Sequence, residues 1–141
     1  VRHTNDGDCE KCNQIFNTYP GINADLFSWF KVFQARFPEA HISCAGRGRI
    51  AQEECFQRGA SKAHFGQSAH NYNCAIDLFV NKPENIYPKD WFLDILKPEI
   101  PEFIQWGFNW VTFPEMPHLE IKDWKHLVSI GEAKLVEPKD G

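Results

Sequence analysis

The longest apolar period in this chain lies near its start. Leu26, Phe27, Phe30, Phe33 and Phe37 recur at intervals of three and four, which is the spacing of one face of an amphipathic helix over residues 24–37. Asn23 supplies an N-cap and Pro38 a stop. Beyond Pro38 the chain is cut at short intervals by Gly46, Gly48, Gly59, Pro83, Pro88, Pro98, Pro101, Gly107, Pro114 and Pro117. Every later element must therefore be short. Residues 41–44 read as a strand, 50–58 as a helix and 61–73 as a loop. Residues 74–80 fit a strand carrying Asp77, and 81–88 a loop. Helices are expected over 90–96 and 102–106, and short strands over 110–113 and 118–121. The tail over 122–135 is expected to be partly helical, and 136–141 to be frayed. Together these elements predict an α+β fold, with helices packed around a small, mainly antiparallel sheet.

At 141 residues the chain is expected to form one domain over 1–141, with residues 1–23 a polar N-terminal segment. Twelve Phe and five Trp supply enough apolar area for a real core. The formal net charge of −4 argues against general nucleic-acid binding. Arg47, Arg49, Arg58 and Lys62 form a local basic run, whose plainer reading is a solvated helix face. No apolar run approaches the length needed to span a bilayer, so stable membrane insertion is not expected. No signal peptide is visible, so synthesis is expected in the cytoplasm. Five cysteines, an odd number, suggest mostly reduced thiols. The pair Cys9 and Cys12 is a lone CxxC. Buried or incidental thiols are the plain reading; a local disulfide or a metal site with His3 are the alternatives, and a structural zinc would need two further ligands.

The chemistry concentrates in two stretches. Residues 68–77 read Ser-Ala-His-Asn-Tyr-Asn-Cys-Ala-Ile-Asp, and residues 115–120 read Glu-Met-Pro-His-Leu-Glu. His70, Asp77 and His118 are candidate metal ligands. Asp77 precedes an apolar run, where a carboxylate is costly unless paired or metal-bound. His118 and Glu120 share a face of an alternating strand, so Glu120 is placed to orient a ligand from behind. Glu115, three residues before His118, could reach over a bound ion as a general base. Two imidazoles, one carboxylate and a water suit Zn²⁺. A lone histidine is more often a packed residue than a ligand, and His3, His41, His64 and His126 are read that way.

This pattern, Ser68-x-His70, then Asp77, then Glu115-x-x-His118, resembles the M15 zinc peptidases of the D-Ala-D-Ala carboxypeptidase and L-alanyl-D-glutamate endopeptidase type, closest to small phage endolysins. Arg47 with Gln52 five residues on, then Gly59 and Ser61, is similar to the Arg-x-x-x-x-Gln stretch of that family. The resemblance implies a Hedgehog/DD-peptidase-like fold and a Zn²⁺ held by His70, Asp77 and His118. It implies Glu115 as catalytic base, Arg47 binding a substrate carboxylate, and Ser68 bonding substrate or the surroundings of Asp77, with Gln52 and Glu120 in support. The implied activity is hydrolysis of the L-Ala–D-Glu bond of peptidoglycan stem peptides. The alternatives are a D-Ala-D-Ala carboxypeptidase or dipeptidase with the same metal site, or an inactive zinc-bearing cell-wall-binding module. The implied setting is a monomer acting on the periplasmic or extracellular cell wall, with holin-dependent export. Two departures from the pattern stand out. Asn73 replaces a frequent Gly, and an asparagine tolerates the left-handed turn this would require. Gly46 replaces a frequent aromatic before the arginine, which would widen the substrate pocket.

Overall fold

The structure is a computed structural model that describes residues 1–110 and 113–136. Helix α1 spans Glu10–Thr18 and α2 spans Ala24–Arg36; strand β1 covers Ala40–Cys44; α3 spans Arg49–Gln57. A 3₁₀ turn at Ala69–Tyr72 leads into β2 at Ala75–Val80. Helix α4, Lys89–Trp91, widens into a π turn at Phe92–Leu96 and tightens at Lys97–Glu99. Strands β3, Ile104–Trp106, and β4, His118–Ile121, precede α5 at Trp124–Ser129. The four strands lie in the order β1-β2-β4-β3, and every neighbouring pair is antiparallel. The α+β expectation holds.

Alternation along the strands decides what faces the core. Ile76, Leu78 and Val80 on β2, Leu119 and Ile121 on β4, and Ile104 and Trp106 on β3 are all buried. They join Leu26, Phe30 and Phe33 of α2 and Phe92 and Leu96 in one apolar cluster. Asn23 caps α2 as expected, its side-chain oxygen accepting from the N–H groups of Asp25 and Leu26. The opposite set on the central strands, Asp77, His118 and Glu120, is left to carry chemistry.

Within the polar N-terminal segment lies α1, whose Cys12 and Phe16 are buried. Two expectations need correction. The helix expected over 102–106 is strand β3 instead, because Pro101 and Gly107 leave too few residues for a helix and β4 offers a pairing edge. Val136 is not frayed: it is fully buried and its N–H donates to the Asn71 carbonyl at 2.8 Å. The rest of the expected frayed tail, 137–141, lies outside the described residues, as do residues 111 and 112 of the strand expected over 110–113.

Candidate metal centre

The centre is built on the two interior strands. Asp77 of β2 pairs directly with His118 of β4, so their side chains rise from the same face of the sheet. His70 arrives from the 3₁₀ turn before β2. That turn is fixed by a capping box: the Ser68 hydroxyl accepts from the His70 N–H at 3.2 Å, and the Asn71 side-chain oxygen accepts from the Ser68 N–H at 3.1 Å. Asn73 closes the turn in the left-handed region, with φ of 59°, as its residue type allows.

Three donor atoms converge. His70 Nε2 lies 3.1 Å and His118 Nδ1 3.2 Å from the same Asp77 oxygen, Oδ1. The far nitrogen of each ring is committed elsewhere. His70 Nδ1 meets the Ala45 carbonyl at 2.7 Å, and His118 Nε2 meets Glu120 Oε1 at 2.8 Å. A carbonyl and a carboxylate accept only, so each of those nitrogens carries the hydrogen of the neutral ring. The lone pairs of His70 Nε2 and His118 Nδ1 then point at Asp77. Three acceptors facing one another, two of them on buried rings, need a shared cation, either a proton or a metal ion. This donor set therefore fits a divalent ion. Glu120 is itself held, its second oxygen accepting from Trp124 Nε1 at 2.9 Å.

The electrostatics agree. Burial alone would raise the Asp77 pKa, but the two imidazoles hold it well below the usual carboxylate range. Burial alone would lower the His70 pKa, but the charges of Asp77 and Cys44 push it to about 10. His118 is also raised, by its hydrogen bonds to Asp77 and Glu120 working against burial. The site thus has a strong appetite for positive charge.

Around the donors the other expected residues take these places. Arg47 Nη2 lies 3.3 Å from Asp77 Oδ2, the oxygen turned away from the imidazoles. Gln52 holds Arg47: its Oε1 accepts from Arg47 Nη1 at 3.2 Å, while its Nε2 donates to the Ala63 carbonyl and the Ser61 hydroxyl. Ser68 bonds the backbone beside His70 rather than Asp77. Glu115 lines the same cleft as His70, Asp77 and His118, and burial raises its pKa above the ordinary 4.5. The cleft measures about 1440 Å³, and its rim includes Arg58, Lys62, Trp110 and Lys125. Three members of the basic run, Arg47, Arg58 and Lys62, thus line the cleft.

Sequence reasoning missed several participants. Cys44 has its sulfur within 4.8 Å of the His70 and Asp77 donor atoms. It borders His70 Nδ1 at 3.7 Å and Arg47 Nη2 at 3.5 Å. A regular β1 would put Cys44 on the side of buried Ile42, but a bulge between them sets Ile42 against Leu78 and Cys44 against Asp77. No residue pattern announces that extra residue. Asn71 was also missed; its Nδ2 donates to the Arg47 carbonyl at 2.9 Å and to Gln52 Oε1 at 3.2 Å. Finally, Gly46 does not widen the pocket. A Cβ there would collide with the ring of Tyr19, which comes from the end of α1 and fills that space.

No protein-family model matches the sequence, and no curated protein sequence matches it. Among solved structures, the chain is similar to the crystal structure of the Serratia marcescens L-Ala D-Glu endopeptidase ChiX. The TM-score is 0.63 at 18% identity, over 82% of this chain and 91% of that one. At that identity the likeness is one of fold.

Proposed function

We propose that this chain is a zinc-dependent peptidoglycan endopeptidase of the M15 type that hydrolyses the L-Ala–D-Glu bond of stem peptides. The observation that carries the reading is the convergence of His70 Nε2, His118 Nδ1 and Asp77 Oδ1 beside Glu115 in one cleft. The fold shared with an L-Ala D-Glu endopeptidase supports the choice of bond. Two imidazoles and a carboxylate, with an open position left for water, are the donor set of a catalytic rather than a closed structural zinc.

When bound, the ion polarises the scissile carbonyl and makes water a nucleophile near neutral pH. The protein residues do the remaining work. Ala45 and Glu120 fix both imidazole tautomers. Arg47 holds the second oxygen of Asp77, so the carboxylate presents one oxygen inward, and Arg47 itself lines the cleft, where a guanidinium can meet a substrate carboxylate. Glu115 takes the proton of the attacking water and hands it to the leaving amine; its raised pKa suits both transfers. Arg58, Lys62 and Lys125 in the cleft lining, beside Glu54 and Asp123, can pair with carboxylates of a peptide.

Mass spectrometry of peptidoglycan digested with and without a chelator tests the reading. Cleavage between L-Ala and D-Glu that stops on chelation is the expected result. Release of free D-Ala instead would assign a carboxypeptidase. Digestion unaffected by chelation would end the metallopeptidase reading.

A further inference from the structure

A second cluster of ligand-type side chains lies away from the cleft, where α1 covers the outer edge of β1. It joins three separate pieces of chain: His3 from the N-terminal arm, Cys9 and Cys12 from the start of α1, and His41 from β1. One nitrogen or sulfur from each lies within 4.8 Å of the other three. The individual separations are tighter. His3 Nδ1 is 3.4 Å from Cys9 Sγ and 3.5 Å from Cys12 Sγ, and His41 Nδ1 is 3.5 Å from Cys12 Sγ. Zinc–sulfur bonds of about 2.3 Å and zinc–nitrogen bonds of about 2.0–2.1 Å, set at tetrahedral angles, give sulfur–nitrogen edges of about 3.5 Å. Three of the six edges thus already have the length of a coordination tetrahedron, and the four donors all lie within 4.8 Å of one another.

The surroundings are those of a metal site as well. His41 Nε2 lies 2.7 Å from Asn5 Oδ1, an acceptor that fixes the ring hydrogen there and turns the Nδ1 lone pair toward the sulfurs. Three N–H groups are aimed at the two sulfurs. The Cys12 N–H points at Cys9 Sγ at 3.5 Å, and the Ile42 N–H and Gln34 Nε2 point at Cys12 Sγ at 3.4 and 3.5 Å. A neutral thiol is a weak acceptor, so buried donors directed at it are better matched to a thiolate. Cys9 and Cys12 also sit at the positive N-terminal end of α1, which favours negative charge. All five cysteines in the chain are free, so no disulfide consumes these two. The readings of His3 and His41 as merely packed, and of Cys9 and Cys12 as incidental, do not explain why all four meet.

We infer that Cys9, Cys12, His3 and His41 bind a second, structural Zn²⁺ that staples the N-terminal arm and α1 to the edge of the sheet. Four protein donors close the coordination sphere and leave no position for water, so this ion has no hydrolytic role. Its work is mechanical. It anchors an arm that is otherwise polar, and it holds α1, whose trailing Tyr19 packs over Gly46 next to Arg47. The inference does not depend on the peptidase reading.

The test uses the full chain purified with Zn²⁺, and counts metal in three proteins. The wild type should hold two ions. Cys12→Ser and Asp77→Ala should each hold one, at different sites. X-ray absorption at the zinc edge then tells which. Asp77→Ala should retain a zinc with two sulfur and two nitrogen neighbours, an environment the cleft cannot supply because Cys44 is the one sulfur in its cluster. That second measurement stands even if Cys12→Ser fails to fold. A Cys12→Ser chain with the wild-type zinc count would overturn the inference. So would an Asp77→Ala chain that holds no zinc or a zinc without a sulfur pair, or an intact mass two hydrogens light from a Cys9–Cys12 disulfide.

Discussion

Burial lifts the Glu115 carboxyl above its ordinary pKa, while Glu120, one strand position past Leu119, spends both oxygens on His118 and Trp124. Two glutamates five residues apart therefore have opposite duties. Glu115→Ala should leave metal content unchanged and lower kcat by roughly 10²–10⁴-fold; native turnover in a stem-peptide assay would remove Glu115 from the mechanism. Glu120→Ala should instead weaken metal binding by about 10–100-fold, read by competition with a chromogenic chelator. The histidines give a pH signature. Stripped of metal, the chain keeps His70 charged against Asp77 with a pKa raised from 6.5 to about 10. A raised folded pKa contributes stability that is complete below about 6.5 and is lost as pH climbs toward 10. Metal binding needs neutral imidazoles and has the opposite sign. Urea melts of the metal-free chain should thus weaken from pH 6.5 to 10, while the added protection by zinc should grow over the same range as His70 gives up its proton. Parallel trends in the two forms would contradict the assigned triad.

At the scale of elements, register does the placing. The pairing of Asp77 with His118 brings together residues 41 positions apart. The β1 bulge turns Cys44 onto the same face. The loop that carries Glu115 is seated on Gly107: a Cβ there would come within 2.7 Å of the Glu115 carbonyl oxygen and 3.1 Å of His118 Cβ. Gly107→Ala should therefore cost about 1–3 kcal/mol in a denaturant melt and lower turnover with little change in KM. A variant with wild-type stability and rate would show that the approach is not tight. The same scale explains what the sequence could reveal. α2, β2 and β4 were legible because their apolar spacing matches a period. β3 was misread because three residues hold no period, and its identity comes from pairing with β4. α1 was missed because its buried residues are Cys12 and Phe16 in an otherwise polar run.

Across the whole molecule, two clusters of ligand-type side chains meet the sheet at neighbouring strands. His41 pairs with Phe79, two residues along β2 from Asp77. His70, Asp77, Glu115 and His118 stood out as a motif because they are chemically distinctive, and the structure gathers all four in one cleft. The edge cluster was legible only in part: His3 with the CxxC was one alternative, but His41 lies 29 residues beyond Cys12 and only the fold joins it. Among the described residues no helix is long and apolar enough to cross a membrane. Metal binding should couple to global stability. Prolonged chelation should lower Tm, with zinc restoring it; a Tm indifferent to chelator would argue that neither cluster binds metal.

The central claim is that His70, Asp77 and His118 grip one ion within the cleft. Anomalous diffraction at the zinc edge from zinc-grown crystals tests it most directly. A peak is predicted among His70 Nε2, His118 Nδ1 and Asp77 Oδ1, with Glu115 facing it. Crystals with no anomalous peak between those three atoms would contradict the account.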